Sequence, residues 1–265
     1  MKHKLMLLMA ALTLFANSCT TTDKPFPVNT PTDWSPTLPD IAAVAEGFTT
    51  LGEFAVTPVT GFLVGAVVAV YAAHESGFFG RQANAMYSYG KSSNVILPYA
   101  KELSANPFEE VGKMHNVGLD YFNKNGNFTE WKSRLANYDI AAWKEMIDIV
   151  SPGITDADKI QIINEAKQAS LVEKVQAKMT YIGTVNQQET ISKLSISPSG
   201  QAYLNSVLIS INELRASGKN MIQIADYING EITARLNPEN IYTIEEKAIL
   251  ASLTVAKHSG YYWHN

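Results

Sequence analysis

Thr243-Ile244-Glu245-Glu246-Lys247-Ala248-Ile249-Leu250-Ala251-Ser252-Leu253-Thr254-Val255-Ala256-Lys257-His258-Ser259-Gly260-Tyr261-Tyr262 reads as one long helix. Thr243 and Glu246 fit a capping box, in which each side chain satisfies an orphan backbone N–H of the other residue. Ile244, Ala248, Ala251, Val255, His258 and Tyr262 recur at spacings of 4, 3, 4, 3 and 4, which is the period of one helix face. That stripe predicts His258 to point inward. The aromatic cluster Tyr261-Tyr262-Trp263 is expected to lock this last helix into the core.

The same grammar extends upstream, and strand signals are scarce from Ile41 onward. Asp139 is placed to cap a helix over Ile140 to Val150, and Thr155 to cap the next. The apolar positions Ile160, Ile163, Ala166, Val172, Val175, Met179 and Ile182 continue that second helix at 3–4 spacing. Ser197-Pro198-Ser199-Gly200 reads as a break, followed by a helix from Gln201 to Ala216 with Gly218 as its stop. Another helix is expected from about Asn220 to Leu236, ending at Asn237-Pro238. The fold class is therefore all-α, a single multi-helix, bundle-like domain over 41–265.

Asn106-Pro107 opens one more helix. Phe108, Gly112 (or Val111), His115, Leu119 and Phe122 form its apolar stripe at spacings of 4, 3, 4 and 3, so His115 is predicted to face inward too. Asn116 and Asp120 stand four apart on a neighbouring face. His115, Asn116, Asp120, His258 and Ser259 are thus the candidates for a polar cluster, with a binding or a structural role. A catalytic role finds less support. Ser259 adjoins His258, and consecutive helical side chains diverge by about 100°. No Gly-x-Ser-x-Gly elbow and no His-Glu-x-x-His pair occurs. His115 and Asp120 are five apart, a poor separation for one metal ion. No catalytic residue, metal ligand or cofactor is assigned from the sequence, and core histidines bonded to backbone, Asn or Asp are the simpler expectation.

His115-Asn116-x-x-Leu119-Asp120-Tyr121, together with Ala256-Lys257-His258-Ser259-x-x-Tyr262-Trp263, resembles an uncharacterised family of bacterial secreted proteins and lipoproteins. A Gly/Ala-rich apolar segment upstream is also similar to that family, so the likeness spans roughly 55–263. The resemblance implies a helical extracytoplasmic domain and carries no reaction with it.

That apolar segment, Ala55 to Ala73, runs for 19 residues without a charge. As a helix it would extend about 28 Å, the lower limit for a membrane span. Gly61 and Gly65 form a GxxxG pair. Two readings stand: a helix buried by its neighbours, or a membrane-active, bacteriocin-like segment over 55–80. The buried reading is preferred, since Pro58 and the glycines interrupt the run and no Lys or Arg flanks it closely.

At the other end, Met1-Lys2-His3-Lys4 precedes an apolar stretch of 11 residues, Leu5 to Phe15, and then Ala16-Asn17-Ser18-Cys19. This resembles a Gram-negative lipoprotein signal peptide over 1–18, with Cys19 as the acylated residue. The apolar stretch is too short to span a bilayer of about 30 Å. Cys19 is the only cysteine, so no disulfide within the chain is possible. Pro25, Pro27, Pro31, Pro36 and Pro39 make 19–40 a stiff tether. By the same resemblance, Thr20 after the cysteine favours the outer membrane; periplasmic and surface exposure both remain open. The precursor carries 21 basic and 25 acidic residues. Loss of Lys2 and Lys4 leaves 19 against 25, a formal charge of −6, which argues against nucleic acid as a partner. The expected function is that of a cell-envelope lipoprotein, held at the membrane by its lipid, whose helical domain is a non-enzymatic binding or structural module with an envelope protein as partner. A His-dependent hydrolase or metalloprotein is a third, weaker reading.

Overall fold

The computed structural model describes residues 37–51, 100–125, 128–150, 153–174, 177 and 187–264. Residues 1–18, read above as a signal peptide, Cys19 and the apolar run 55–73 lie outside these, as do the side chains of Asp120 and Tyr262. Among the described residues the protein is all-α, with no strand. In chain order the helices are α1 (Thr37–Leu51), α2 (Glu109–Asn125), α3 (Phe128–Ala136), α4 (Ile140–Val150) and α5 (Asp156–Gln168). There follow α6 (Gln187–Ser192), α7 (Pro198–Ala216), α8 (Met221–Thr233) and α9 (Ile244–His264). No described helix is long and apolar enough to cross a membrane.

The helix ends follow local chemistry. Asp139 accepts from Ala142 N at 3.0 Å and starts α4. Thr155 accepts from Asp158 N at 3.2 Å and starts α5. Asn220 and Gln223 close a reciprocal capping box on α8, and Thr243 and Glu246 close the expected one on α9. Gly218, with φ +82°, turns the chain after α7 in a conformation that favours glycine.

Four boundaries differ from the sequence reading. The helix capped by Thr155, expected to continue through Ile182, ends at Gln168, where Ala169 is its C-cap and Ser170 takes φ +51°. Ser197-Pro198-Ser199-Gly200 is not a break before α7 but its beginning. Ser197 caps it by accepting from Gly200 N at 3.1 Å, and Pro198 sits in the first turn, where its missing N–H costs nothing. The helix after Asn220 stops at Thr233, short of Leu236. The tether boundary at residue 40 falls inside α1, whose Leu38 and Asp40 are already buried. One face also differs. α5 buries Lys159, Ile162, Ile163 and Ala166, and this leaves Ile160 exposed, since it lies about 100° around the helix from Lys159. The Lys159 stem covers apolar surface while its ammonium reaches Asp148 at 2.5 Å.

α9 occupies the centre. It packs on α1 and α2 most extensively, and on α8 and α7. From Ala248 to Gly260 every residue is buried, so the helix is enclosed on all sides rather than on one stripe. α4 packs on α2, α3 and α5, while α6 packs on α7 and α1. Trp143 anchors this outer group: its ring stacks on Tyr138 at 5.8 Å and its Nε1–H donates to Leu135 O at 3.0 Å. Two carboxylates reach out from the centre to hold the turn before α7. Glu46 of α1 accepts from Ser195 N and Oγ, and Glu245 of α9 accepts from Ser197 N and Oγ.

Candidate functional site: a buried polar network

The inward stripes of α2 and α9 meet, and their histidines meet carboxylates. His115, Asn116, Lys257, His258 and Ser259 are all 0 % exposed. Burial of that many polar groups is tolerable only if each finds a partner.

The first half of the network centres on Glu109, in the first turn of α2, where the helix dipole favours an anion. Its Oε1 accepts from Lys257 Nζ at 2.6 Å and from His258 Nε2 at 2.7 Å. Its Oε2 accepts from Asn106 Nδ2 at 3.0 Å. Asn106 also donates to Thr254 Oγ1 at 2.8 Å and accepts from Phe108 N at 3.0 Å. The Lys257 ammonium has three hydrogens and three acceptors: Glu109, Asn229 Oδ1 at 3.0 Å and Lys101 O at 3.3 Å. One buried charge thereby fastens α2, α8 and the 101 segment to α9.

The second half centres on Asp40 of α1. Ser259 Oγ donates to Asp40 Oδ2 at 2.5 Å, and His115 Nε2 lies 3.4 Å from the same oxygen. Asn116 joins the halves. Its Nδ2 donates to His258 O at 2.9 Å, and its Oδ1 lies 3.0 Å from His115 Nδ1. Gly112 allows α2 to approach here, since a Cβ at this position would land on the His258 ring.

Burial by itself would raise the Glu109 pKa, but the hydrogen bonds from His258 and Lys257, with their charges, outweigh it and bring it down to about 2. Burial pushes His258 and Lys257 below their usual ranges, and Glu109 only partly opposes this. His258 is therefore neutral at pH 7, with Nε2–H donated to the carboxylate. The signs of Glu109 and His258 agree. A folded pKa below the unfolded one adds stability above the unfolded value and loses it as pH falls through the folded value. His258 begins to cost stability below pH 6.5, and Glu109 adds its loss between 4.5 and about 2. Urea midpoints at pH 7, 5.5, 4 and 3 should fall in sequence, with the steepest drop below 4.5. A Glu109→Gln variant should lose that last component.

The structure thus brings together four of the five residues singled out from sequence: His115, Asn116, His258 and Ser259. They do not form a Ser–His pair, because His258 turns to Glu109 and Ser259 to Asp40. Asp120 lies on α2 with its side chain outside the described residues. Sequence reasoning missed Asp40, Asn106, Glu109 and Lys257. Lys257 left one usable signal, since it is the single charged side chain between Ala248 and Gly260. Among the described residues, no group of three or more His, Cys, Asp or Glu is placed to hold a metal ion. No protein-family model, curated protein or solved structure matches the chain.

Proposed function

We propose that this chain is a lipid-anchored envelope protein whose helical domain serves as a non-enzymatic binding or structural module. One observation supports the non-enzymatic part. The acid–base groups that would do chemistry are enclosed in the helix core and engaged with one another. A catalytic histidine has to meet substrate, and geometry within hydrogen-bond reach of a substrate comes before any matter of pKa. His115 and His258 instead tie α1, α2 and α9 together. On this reading the lipid on Cys19 and the Pro-rich tether deliver the module to the membrane, and its outer surface meets an envelope protein.

The anchor is tested by expressing the full precursor and Cys19→Ala in a Gram-negative host. The parent should incorporate labelled palmitate and sediment with outer membranes. Cys19→Ala should incorporate none and appear in the soluble periplasmic fraction. Membrane association that is unchanged in Cys19→Ala would remove the lipid from the account.

A further inference from the structure

We propose that Lys257 and Asn229 become joined by an amide bond that the protein forms within itself, with Glu109 as the proton carrier, so that α9 is covalently fastened to α8. Three groups of unlike chemistry converge on one nitrogen. Lys257 Nζ lies 2.6 Å from Glu109 Oε1 and 3.0 Å from Asn229 Oδ1. An amine is a nucleophile, a side-chain amide is an acyl group, and a carboxylate moves protons between them. The substrate is the chain itself, so this chemistry goes beyond the non-enzymatic reading without opposing it.

The amide is held in a defined orientation. An ammonium can only donate, so the Asn229 atom facing it is Oδ1. Nδ2 donates to Lys101 O at 3.3 Å, and the same carbonyl accepts from Lys257 Nζ at 3.3 Å. Cγ stands one C=O bond beyond Oδ1, so it lies no more than about 4.2 Å from Nζ. A near-attack separation of about 3–3.5 Å then requires a shift of about 1 Å. The Lys257 side chain is 0 % exposed, which keeps water from the nucleophile. Burial also lowers its pKa, so the amine is reached more easily than in water. Asn229 is only part-buried, which gives the leaving ammonia a way out.

The step balances. Glu109 takes one proton from the Lys257 ammonium. The freed Nζ lone pair attacks Cγ, the Nζ–Cγ bond forms, and the carbonyl π pair moves onto Oδ1. Nζ and Nδ2 now share one carbon, so the carboxyl that touches the first is near the second. Glu109 gives its proton to Nδ2 and takes another from Nζ. The Oδ1 pair returns, the Cγ–Nδ2 bond breaks, and ammonia leaves with the proton that Glu109 still holds. An ammonium and a primary amide become a secondary amide and an ammonium ion, with nothing oxidised or reduced. The product keeps one N–H on Nζ for Glu109. Glu109 is strongly acidic, so the neutral pair is scarce and the reaction slow, but each molecule needs it only once. The ion pair described above is the unreacted state. The chain has one cysteine and no internal disulfide, and this bond supplies a covalent tie between helices without one.

The test incubates the freshly purified full chain in near-neutral buffer for several days, with circular dichroism confirming that it stays folded. Intact mass should fall by one ammonia. Tryptic digestion should yield a branched peptide that joins the Asn229 segment to an uncleaved Lys257. Glu109→Gln keeps the shape without the base and should form the branch slower by about 10²-fold or more. Asn229→Ala, at a part-buried position, should fold and carry no branch. A folded, aged parent without the branched peptide overturns the proposal. So does ammonia loss with Lys257 still cleaved by trypsin, which would be a succinimide at Asn229-Gly230. A branch on Lys257 that persists in Asn229→Ala, or forms in folded Glu109→Gln at the parent's rate, overturns it too.

Discussion

Glu109→Leu should destabilise the domain by about 3–5 kcal/mol at pH 7, a large part of the 5–15 kcal/mol that holds an ordinary domain together. The loss does not come from the contacts of the glutamate alone. Lys257 and His258 both deliver hydrogens to its Oε1, and both are wholly buried. With the carboxylate gone, the Lys257 ammonium keeps, among the described residues, only two neutral oxygens within hydrogen-bond reach, Asn229 Oδ1 and Lys101 O, and loses the carboxylate it is bonded to. Asn106 loses an acceptor as well, and it is the residue that holds Phe108 N and Thr254 at the start of α2. The partner variant separates charge from shape. Lys257→Met alone removes one donor from an anion that His258 and Asn106 still serve, so it should cost less than Glu109→Leu. The double variant Glu109→Leu/Lys257→Met leaves no orphaned ion and should recover a good part of the loss, since well-packed apolar groups replace buried ion pairs at little net cost. Urea denaturation followed by circular dichroism gives the cycle, and a coupling of about 1–3 kcal/mol is expected between the two sites. Additive losses would mean that the ion pair is incidental to the packing.

The helices were largely legible because their signals are local. Asp139, Thr155 and the Thr243/Glu246 pair each lie within three residues of the N–H they satisfy, and the structure uses all of them. The inward direction of His115 and His258 followed from periodicity for the same reason. Their partners were not legible. Glu109 meets His258 across 149 residues, and Asp40 meets Ser259 across 219. Asp40 was also hidden by composition, since the prolines around it read as an extended tether rather than as the first turn of a helix. The centre of the fold was disguised in another way. Ser252, Thr254, Lys257 and Ser259 punctuate α9, so that it reads as a helix with one inward stripe rather than one enclosed on all sides. In the fold each of them has a protein acceptor: Ile41 O, Leu250 O, Glu109 and Asp40 respectively. A helix whose polar residues are all paired can be buried all round, and periodicity alone cannot distinguish it from a surface helix.

The crossing of α2 over that helix gives the second large effect. Gly112→Ala should destabilise by about 2–4 kcal/mol, although alanine is the better helix former by about 1 kcal/mol. The new Cβ would meet Cδ2 and Cγ of His258 closer than real Cβ contacts allow, and the His258 Cβ at a tight 3.0 Å. These are not the loose end of a long side chain. They are the body of an imidazole whose Nε2 is fixed on Glu109 at 2.7 Å, on a helix enclosed on every side. Either α2 lifts away and opens the core, or the ring swings and gives up a hydrogen bond to a charged group worth about 1.5–3 kcal/mol. Gly230→Ala is the matching control. It too lies within a helix, α8, but a Cβ there meets nothing within 4 Å. It should gain close to the full helix-propensity difference of about 1 kcal/mol. Opposite signs for the two glycines in urea denaturation place the effect at the α2–α9 contact. Equal signs would show that the helices have room to part, and that the His258–Glu109 bond does not depend on how closely their backbones approach.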